Sequence, residues 1–148
     1  MAFVELVWDP FALGDRGPCI EVIIGNSQDY KEHSRSMGFE YPEPRKITAL
    51  LDTGASVTVV SKTFARHCKL FQTGADREIS GLGGPHLCGE HAGSVSFPGT
   101  DLRPFSTIRI VSADFVKEPR FACLIGTDIL RNWAITFDGR SKRVTIRD

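Results

Sequence analysis

The sequence predicts a single all-β domain, and three observations lead to this prediction. Glycine and proline, 14 and 8 of the 148 residues, divide the chain into many short apolar runs. Few segments repeat apolar residues with the 3.6-residue period of a long helix, whereas several have the length and composition of strands. The length is that of one domain, and such a chain can bury about two thirds of its surface. A core can therefore form without disulfides or metal.

Eight segments are predicted to be strands because each is a short apolar run bounded by turn residues. The last of them, Arg143-Val144-Thr145-Ile146-Arg147, alternates polar and apolar residues, so one face should be buried and the other solvated. Asp138-Gly139, just before it, is typical of a hairpin turn. The predicted strands are residues 19–25, 47–51, 58–60, 94–97, 105–111, 122–125, 134–137 and 143–147.

Two short helices are expected beside the strands. Ser61 can cap a helix over residues 62–68, and Thr127 or Asp128 can cap one over 129–133. Residues 26–46 mix acids, bases and two prolines with almost no periodicity, which predicts an exposed insertion that is mobile, functional or a hairpin. An apolar arm, residues 1–16, precedes the predicted domain of residues 17–148.

The charge balance excludes several classes of protein. With 18 basic and 18 acidic side chains and 41% apolar residues, the chain is neither disordered nor a basic nucleic-acid binder. No run approaches the roughly 18 apolar residues of a membrane span, and the N-terminus lacks a signal-peptide layout. We therefore expect a cytoplasmic protein that binds neither nucleic acid nor membranes. Its cysteines, with no Cys-x-x-Cys pair, are expected to be free and mostly buried: Cys19, Cys68, Cys88 and Cys123.

The segment that carries chemistry is Leu50-Leu51-Asp52-Thr53-Gly54-Ala55-Ser56. It places a carboxylate at the end of an apolar strand, where partial burial can perturb its pKa. The glycine that follows permits a tight turn and close approach of the backbone, and the threonine offers a hydroxyl. Taken alone, the same residues also fit an ordinary turn in which an aspartate bonds its own backbone.

Two further motifs follow this turn at characteristic distances: Ile79-Ser80-Gly81-Leu82-Gly83-Gly84 and Leu124-Ile125-Gly126-Thr127-Asp128-Ile129-Leu130. The three motifs together resemble the retropepsin-like aspartic proteases, and look closer to the retrotransposon and cellular members than to the viral enzymes. The resemblance covers residues 17–148 apart from the insertion. It implies a closed β barrel with one short C-terminal helix and one lobe per chain.

The resemblance also implies roles for individual residues. Asp52 would be the catalytic carboxylate in an active-site turn completed by Thr53, Gly54 and Ala55, with the threonine hydroxyl bracing two such turns. The glycine-rich segment would be a flap over the substrate: Ile79, Ser80, Gly81, Leu82, Gly83 and Gly84. A structural turn beneath the active site would comprise Gly126, Thr127 and Asp128. Viral members have an acid and an arginine where this chain has Ser56 and Thr127, so their ion pair is missing.

One Asp-Thr-Gly per chain implies a homodimer. Aspartic proteolysis uses two carboxylates that share a proton, one as base and one as acid, and we find no second candidate motif. The resemblance thus implies a cofactor-free endopeptidase that cuts an extended peptide or a polyprotein, with apolar pockets from Leu50, Val57 and Leu82. The alternative is a catalytically silent retropepsin-like domain kept for dimerisation or peptide binding.

Other motifs suggest a zinc site or a catalytic cysteine, but they fit those sites poorly. His86, Cys88 and His91 could suggest zinc, but on a strand His91 would face away from the other two and no fourth ligand is near. His67 and Cys68 do not suit a thiolate and its base, because neighbours on a helix point in different directions. The N-terminal arm could pack on its own domain, join a dimer interface or be a trimmed pro-segment.

Overall fold

Ten strands and three helices make up the part of the chain that the computed structural model describes, residues 2–7, 17–81, 84–114 and 122–148. The strands are β1 Phe3–Val7, β2 Cys19–Asn26, β3 Arg45–Leu51, β4 Val59–Ser61, β5 Arg77–Gly81, β6 Gly84–Ser96, β7 Phe105–Ala113, β8 Cys123–Ile125, β9 Ala134–Asp138 and β10 Arg143–Arg147. The helices are α1 Gln28–Ser36, α2 Lys62–His67 and α3 Thr127–Leu130. The predicted all-β class is confirmed.

Six strands close into a barrel in the order β2-β3-β8-β4-β7-β6, because β6 also pairs with β2. Strand β8 runs parallel to β3 and antiparallel to β4, so it lies between two strands that precede it in the chain. Strand β5 extends the sheet beyond β6 as a hairpin. Closure leaves the barrel strands without free edges, and the core is filled by fully buried side chains such as Val22, Ile24, Val60, Ile110 and Ile125.

A second sheet has the order β1-β10-β9. Its central strand, β10, buries Val144 and Ile146, leaves Arg143 and Arg147 exposed and leaves Thr145 half-buried, which follows the predicted period-2 pattern. The predicted hairpin at Asp138-Gly139 is confirmed. Within its loop, hydrogen bonds from the Ser141 hydroxyl and from the loop amides lower the pKa of the Asp138 carboxyl. The described part of the N-terminal arm packs on its own domain as β1, whereas residues 8–16 lie outside the described residues.

Helix α1 occupies the segment that the sequence predicts to be an exposed insertion without helical periodicity. Its N-terminus is capped by Ser27, whose hydroxyl accepts a hydrogen bond from the Tyr30 amide at 3.3 Å. The Tyr30 ring stacks on Phe71 at a centroid distance of 5.1 Å. The buried residue of the helix is a serine, Ser34. Because the inward face is partly polar, the apolar spacing that would indicate a helix is absent from the sequence.

The two predicted helices have different outcomes. Helix α2 is confirmed with its cap, since the Ser61 hydroxyl accepts a hydrogen bond from the Phe64 amide at 3.0 Å. The predicted cap and bounds of the last helix are wrong: α3 begins at Thr127, its N-cap is Gly126, and no side chain caps it. The Asp128 carboxylate is instead engaged with the barrel, as described below.

The four cysteines are free, as predicted, and all but Cys19 are buried. Burial raises the pKa of the Cys68 thiol to about 11, and it also raises the pKa of Cys88 and Cys123. These thiols are therefore protonated at neutral pH and poorly nucleophilic. In the described residues, no helix is long and apolar enough to cross a membrane.

Two buried polar side chains hold residues 69–72 against the barrel. The Asn26 amide donates to the Lys69 carbonyl at 3.2 Å and accepts from the Phe71 amide at 2.7 Å. The His91 Nδ1 lies 3.3 Å from the Leu70 carbonyl, and its Nε2 lies 2.9 Å from the Ser112 hydroxyl. A carbonyl only accepts, so Nδ1 carries the proton and the hydroxyl donates to Nε2. We call residues 69–72 the strap.

The buried His91 makes stability depend on pH. Desolvation lowers its pKa in the folded protein below the ordinary value of 6.5, so the unfolded chain binds its proton more readily. The stability that neutral His91 contributes is therefore present above about pH 6.5 and is lost as the pH falls toward the folded-state pKa. We expect the unfolding free energy to fall between pH 7.5 and 5.5 more steeply in the wild type than in His91→Gln, measured by urea titration. Equal slopes would contradict this.

Candidate active site

The backbone of Asp52 is fixed by strands that are distant in sequence. Leu51 ends β3 and lies opposite Ile125 in the parallel pairing with β8. The Asp52 amide donates to the Ile125 carbonyl at 2.9 Å, and the Leu51 amide donates to the Pro18 carbonyl at 2.9 Å. Two apolar strands thus deliver a carboxylate to the end of the barrel, as the sequence predicts.

The residues after Asp52 form a tight turn around its carboxylate. The Gly54 amide donates to Asp52 Oδ1 at 2.8 Å, and the Ala55 amide donates to the Asp52 carbonyl at 3.2 Å. A Cβ at Gly54 would lie 3.1 Å from Asp52 Oδ1, closer than an ordinary van der Waals contact. The carboxylate is half-buried, whereas Thr53 and Gly54 are exposed.

Behind this turn lies a polar network that joins it to α3. The fully buried Thr58 donates from its amide and its hydroxyl to the two oxygens of the Asp128 carboxylate, at 3.0 and 2.9 Å. The Gly126 amide donates to the Thr58 hydroxyl at 3.3 Å, and the Thr127 amide donates to the Ala55 carbonyl at 2.8 Å. A main-chain hydrogen bond therefore links the turn of residues 52–55 to Thr127.

Removing the Asp128 carboxylate should destabilise the fold. The variant Asp128→Ala leaves two buried donors of Thr58 without an acceptor, and we expect the unfolding free energy to drop by about 3 kcal/mol. Denaturant titration measures the loss, with Asp101→Ala as the control because Asp101 is an exposed loop carboxylate. A loss no greater than that of the control would show that the network carries no stability.

Asp52 opens onto a cavity of about 470 Å³. One wall is the end of the hairpin formed by β5 and β6, with Ile79, Ser80 and Gly81. The opposite wall is formed by the active-site turn and the barrel. The barrel and turn residues that line it are Asp52, Gly54, Ala55, Ser56, Val57, Val59, Val111, Ala113, Asp114 and Leu124. Its lining is mainly apolar, with carboxylates at Asp52 and Asp114.

The solved structures that are similar to this chain include two proteases. A retropepsin-like aspartic protease from Rickettsia conorii matches with a TM-score of 0.58 and 15% sequence identity, over 98% of each chain. EIAV protease in complex with an inhibitor matches with a TM-score of 0.51 and 21% identity, over 80% of this chain and 89% of the other. Neither the protein-family models nor the curated protein sequences give a match. The chain has a retropepsin-like fold.

The retropepsin-like fold brings together only part of the predicted site. Six of the predicted residues share the cavity: Asp52, Gly54, Ala55, Ile79, Ser80 and Gly81. Thr53 and Gly84 do not line it, and Leu82 and Gly83 lie outside the described residues. The turn of Gly126, Thr127 and Asp128 lies behind the cavity and not in it.

Of the predicted pocket residues, Val57 lines the cavity of the single chain and Leu50 does not. The half-buried Leu50 lies beside Gly17, with its Cδ1 3.5 Å from the position that a Cβ on Gly17 would occupy. Several lining residues were not predicted, among them Val111, Ala113 and Leu124. The alternation within residues 105–113 is the signal that could have identified the first two.

The two histidines considered for zinc lie in different places in this retropepsin-like chain. His86 and Cys88 line the cavity beside Asp52, whereas His91 is buried against Ser112 and the strap. Among the described residues, no group of three or more His, Cys, Asp or Glu side chains is arranged to hold a metal ion.

Proposed function

We propose that the protein is an aspartic endopeptidase. The observation that carries this proposal is the position of Asp52, whose carboxylate opens onto a 470 Å³ cavity and whose backbone is held by the core of the barrel. Among the described residues no cation pairs with Asp52, whereas the other carboxylate of the cavity, Asp114, is paired with Lys62. The likeness in fold to two aspartic proteases supports the same proposal.

The chemistry requires a second carboxylate. One aspartate takes a proton from the attacking water while the other, protonated, polarises the scissile carbonyl. Asp114 also lines the cavity, but its carboxylate is paired with Lys62, 3.6 Å from the Nζ atom. We therefore propose a homodimer in which Asp52 of a second copy completes the pair, with no cofactor. The exposed Thr53 would then lie between the two turns.

The substrate would be an extended peptide, either free or within a polyprotein. Such a peptide pairs through its backbone and places alternate side chains in pockets on opposite sides. Here the apolar walls of Val57, Val59, Val111 and Leu124 favour apolar side chains beside the scissile bond. We propose that residues 79–84 act as a flap that closes over the bound peptide and excludes water.

The alternative is a silent domain that dimerises or binds peptides without cutting them. Both proposals predict a dimer, so the dimer alone does not distinguish them. The presence of Asp52 in the cavity favours the enzyme, because peptide binding through the backbone and apolar pockets does not require an acid.

The experiment that tests the proposal combines cleavage and assembly. The purified chain is incubated with a mixed peptide library between pH 4 and 7, the products are identified by mass spectrometry, and sedimentation equilibrium gives the oligomeric state. We expect a dimer that cuts between apolar residues. A folded dimer that cuts no peptide favours the silent domain, and a protein monomeric at millimolar concentration excludes the symmetric pair.

A further inference from the structure

A second cavity, of about 410 Å³, lies on the other side of strand β7 from the proposed substrate cavity. Val111 and Ala113 line the substrate cavity, whereas Ser112, between them in sequence, lines the second one. This follows from the alternation of side chains along a strand. The second cavity is therefore separate from the site that contains Asp52.

Three basic side chains border this cavity. Lys62 and Arg66 are four residues apart, so they lie on the same face of α2, and Lys69 follows the helix on the strap. Lys62 is engaged with Asp114. In the described residues, neither Arg66 nor Lys69 has an ion-pair partner. The acid that lines the cavity, Asp76, accepts a hydrogen bond from the Gln72 amide at 2.8 Å.

The backbone at Lys69 is held in a conformation that a lysine rarely adopts. Its φ is +46°, and the Leu70 amide donates to the Ala65 carbonyl at 3.0 Å, the pattern that closes a helix and that favours glycine at this position. Asn26 binds the Lys69 carbonyl from the core. A lysine is thus kept, against its backbone preference, where its charge borders the cavity.

The floor and walls leave room for more than an ion. His91 and Ser112, both about 95% buried, form the polar part of the lining, and Ala65 and Leu70 form the apolar part. The volume is within the range of small-molecule sites. Arg66, whose Nε also donates to the Lys62 carbonyl at 3.3 Å, and Lys69 together match the double negative charge of a phosphate group, and the apolar wall matches a small organic substituent.

We infer that this cavity binds a phosphate group, free or carried on a small organic molecule, through Arg66 and Lys69. The inference is independent of the proposed protease activity. The guanidinium would form paired hydrogen bonds with the phosphate oxygens, and the ammonium would add a third contact. Lys62, at the same rim, would be shared between this ligand and Asp114.

The test is a binding titration that does not depend on cleavage. Inorganic phosphate and phenyl phosphate are titrated separately into the full chain carrying Asp52→Asn, at constant ionic strength, by isothermal calorimetry and amide chemical shifts. We expect saturable binding that weakens about tenfold in Arg66→Gln and in Lys69→Gln. The exposed Arg140→Gln is the matched control and should bind as the parent does.

Lys69→Gly separates the role in binding from a role in folding. It relieves the positive φ, so its thermal unfolding temperature should equal or exceed that of the parent, while phosphate binding weakens as in Lys69→Gln. Binding of phenyl phosphate as well as phosphate supports a site for phosphate esters, and binding of phosphate alone supports a site for the free anion. Saturable binding of neither, or binding that the Arg66 and Lys69 variants leave unchanged, overturns the inference.

Discussion

Peptide cleavage should be lost when Asp52 is replaced by asparagine, with kcat/KM reduced by at least about 10³-fold. An amide cannot take the proton of the attacking water or hold the proton that the pair shares. The change keeps the shape of the side chain, and the asparagine oxygen can still accept the hydrogen bond from the Gly54 amide. The measurement is the initial rate on a peptide that the wild type cuts.

Two controls make this loss specific to the catalytic carboxylate. Asp101→Asn removes an exposed loop carboxylate that does not line the cavity, and it should keep the full rate. Asp114→Asn removes the other carboxylate that lines the cavity and should retain measurable cleavage. If cleavage survived Asp52→Asn but were lost in Asp114→Asn, the catalytic carboxylate would be Asp114. That result would exclude the proposed pair of Asp52 carboxylates.

A large loss of stability is expected for Gly126→Ala. A Cβ at this position would lie 2.6 Å from the Val57 carbonyl carbon and oxygen and 2.9 Å from the Ala55 carbonyl oxygen. These atoms belong to the backbone of residues 55–57, so they cannot rotate away as a side chain would. We expect the unfolding free energy to fall by about 3 kcal/mol, measured by denaturant titration, and cleavage to decrease in parallel.

Gly139→Ala is the matched control for this substitution. Gly139 lies in the hairpin loop between β9 and β10, where an added Cβ would meet no atom within 4 Å. Its unfolding free energy should change by less than about 1 kcal/mol. If Gly126→Ala were as stable as Gly139→Ala, α3 would not pack against the turn as closely as the structure indicates.

Much of the β structure could be predicted from the sequence because several strands carry their own signal. Alternation in residues 143–147 and the turn at Asp138-Gly139 depend on neighbouring residues, and both are present in the structure. Helix α1 could not be predicted in this way. What holds it is a cap at Ser27 and a stack between Tyr30 and Phe71, and the second of these joins residues that are distant in sequence.

The same distinction holds for the candidate site. Asp52 and the turn after it were predictable from the residues of the turn itself. The N-terminus of α3 at Gly126 was not predictable. The Asp128 carboxylate could cap its own helix or bind a distant residue, and only the fold brings Thr58 within reach of it. The face of β3 that points into the cavity is also set by the fold, because period-2 alternation shows only which residues share a face.

The parallel pairing of β3 with β8 has a consequence for when activity can arise during synthesis. Asp52 is held by a hydrogen bond to Ile125, so a ribosome-bound chain that has been translated only as far as residue 121 lacks the strand that positions its carboxylate. Contacts between segments so far apart in sequence also form slowly. Under the proposed function, a nascent chain therefore cannot cut itself or its neighbours before the barrel has closed.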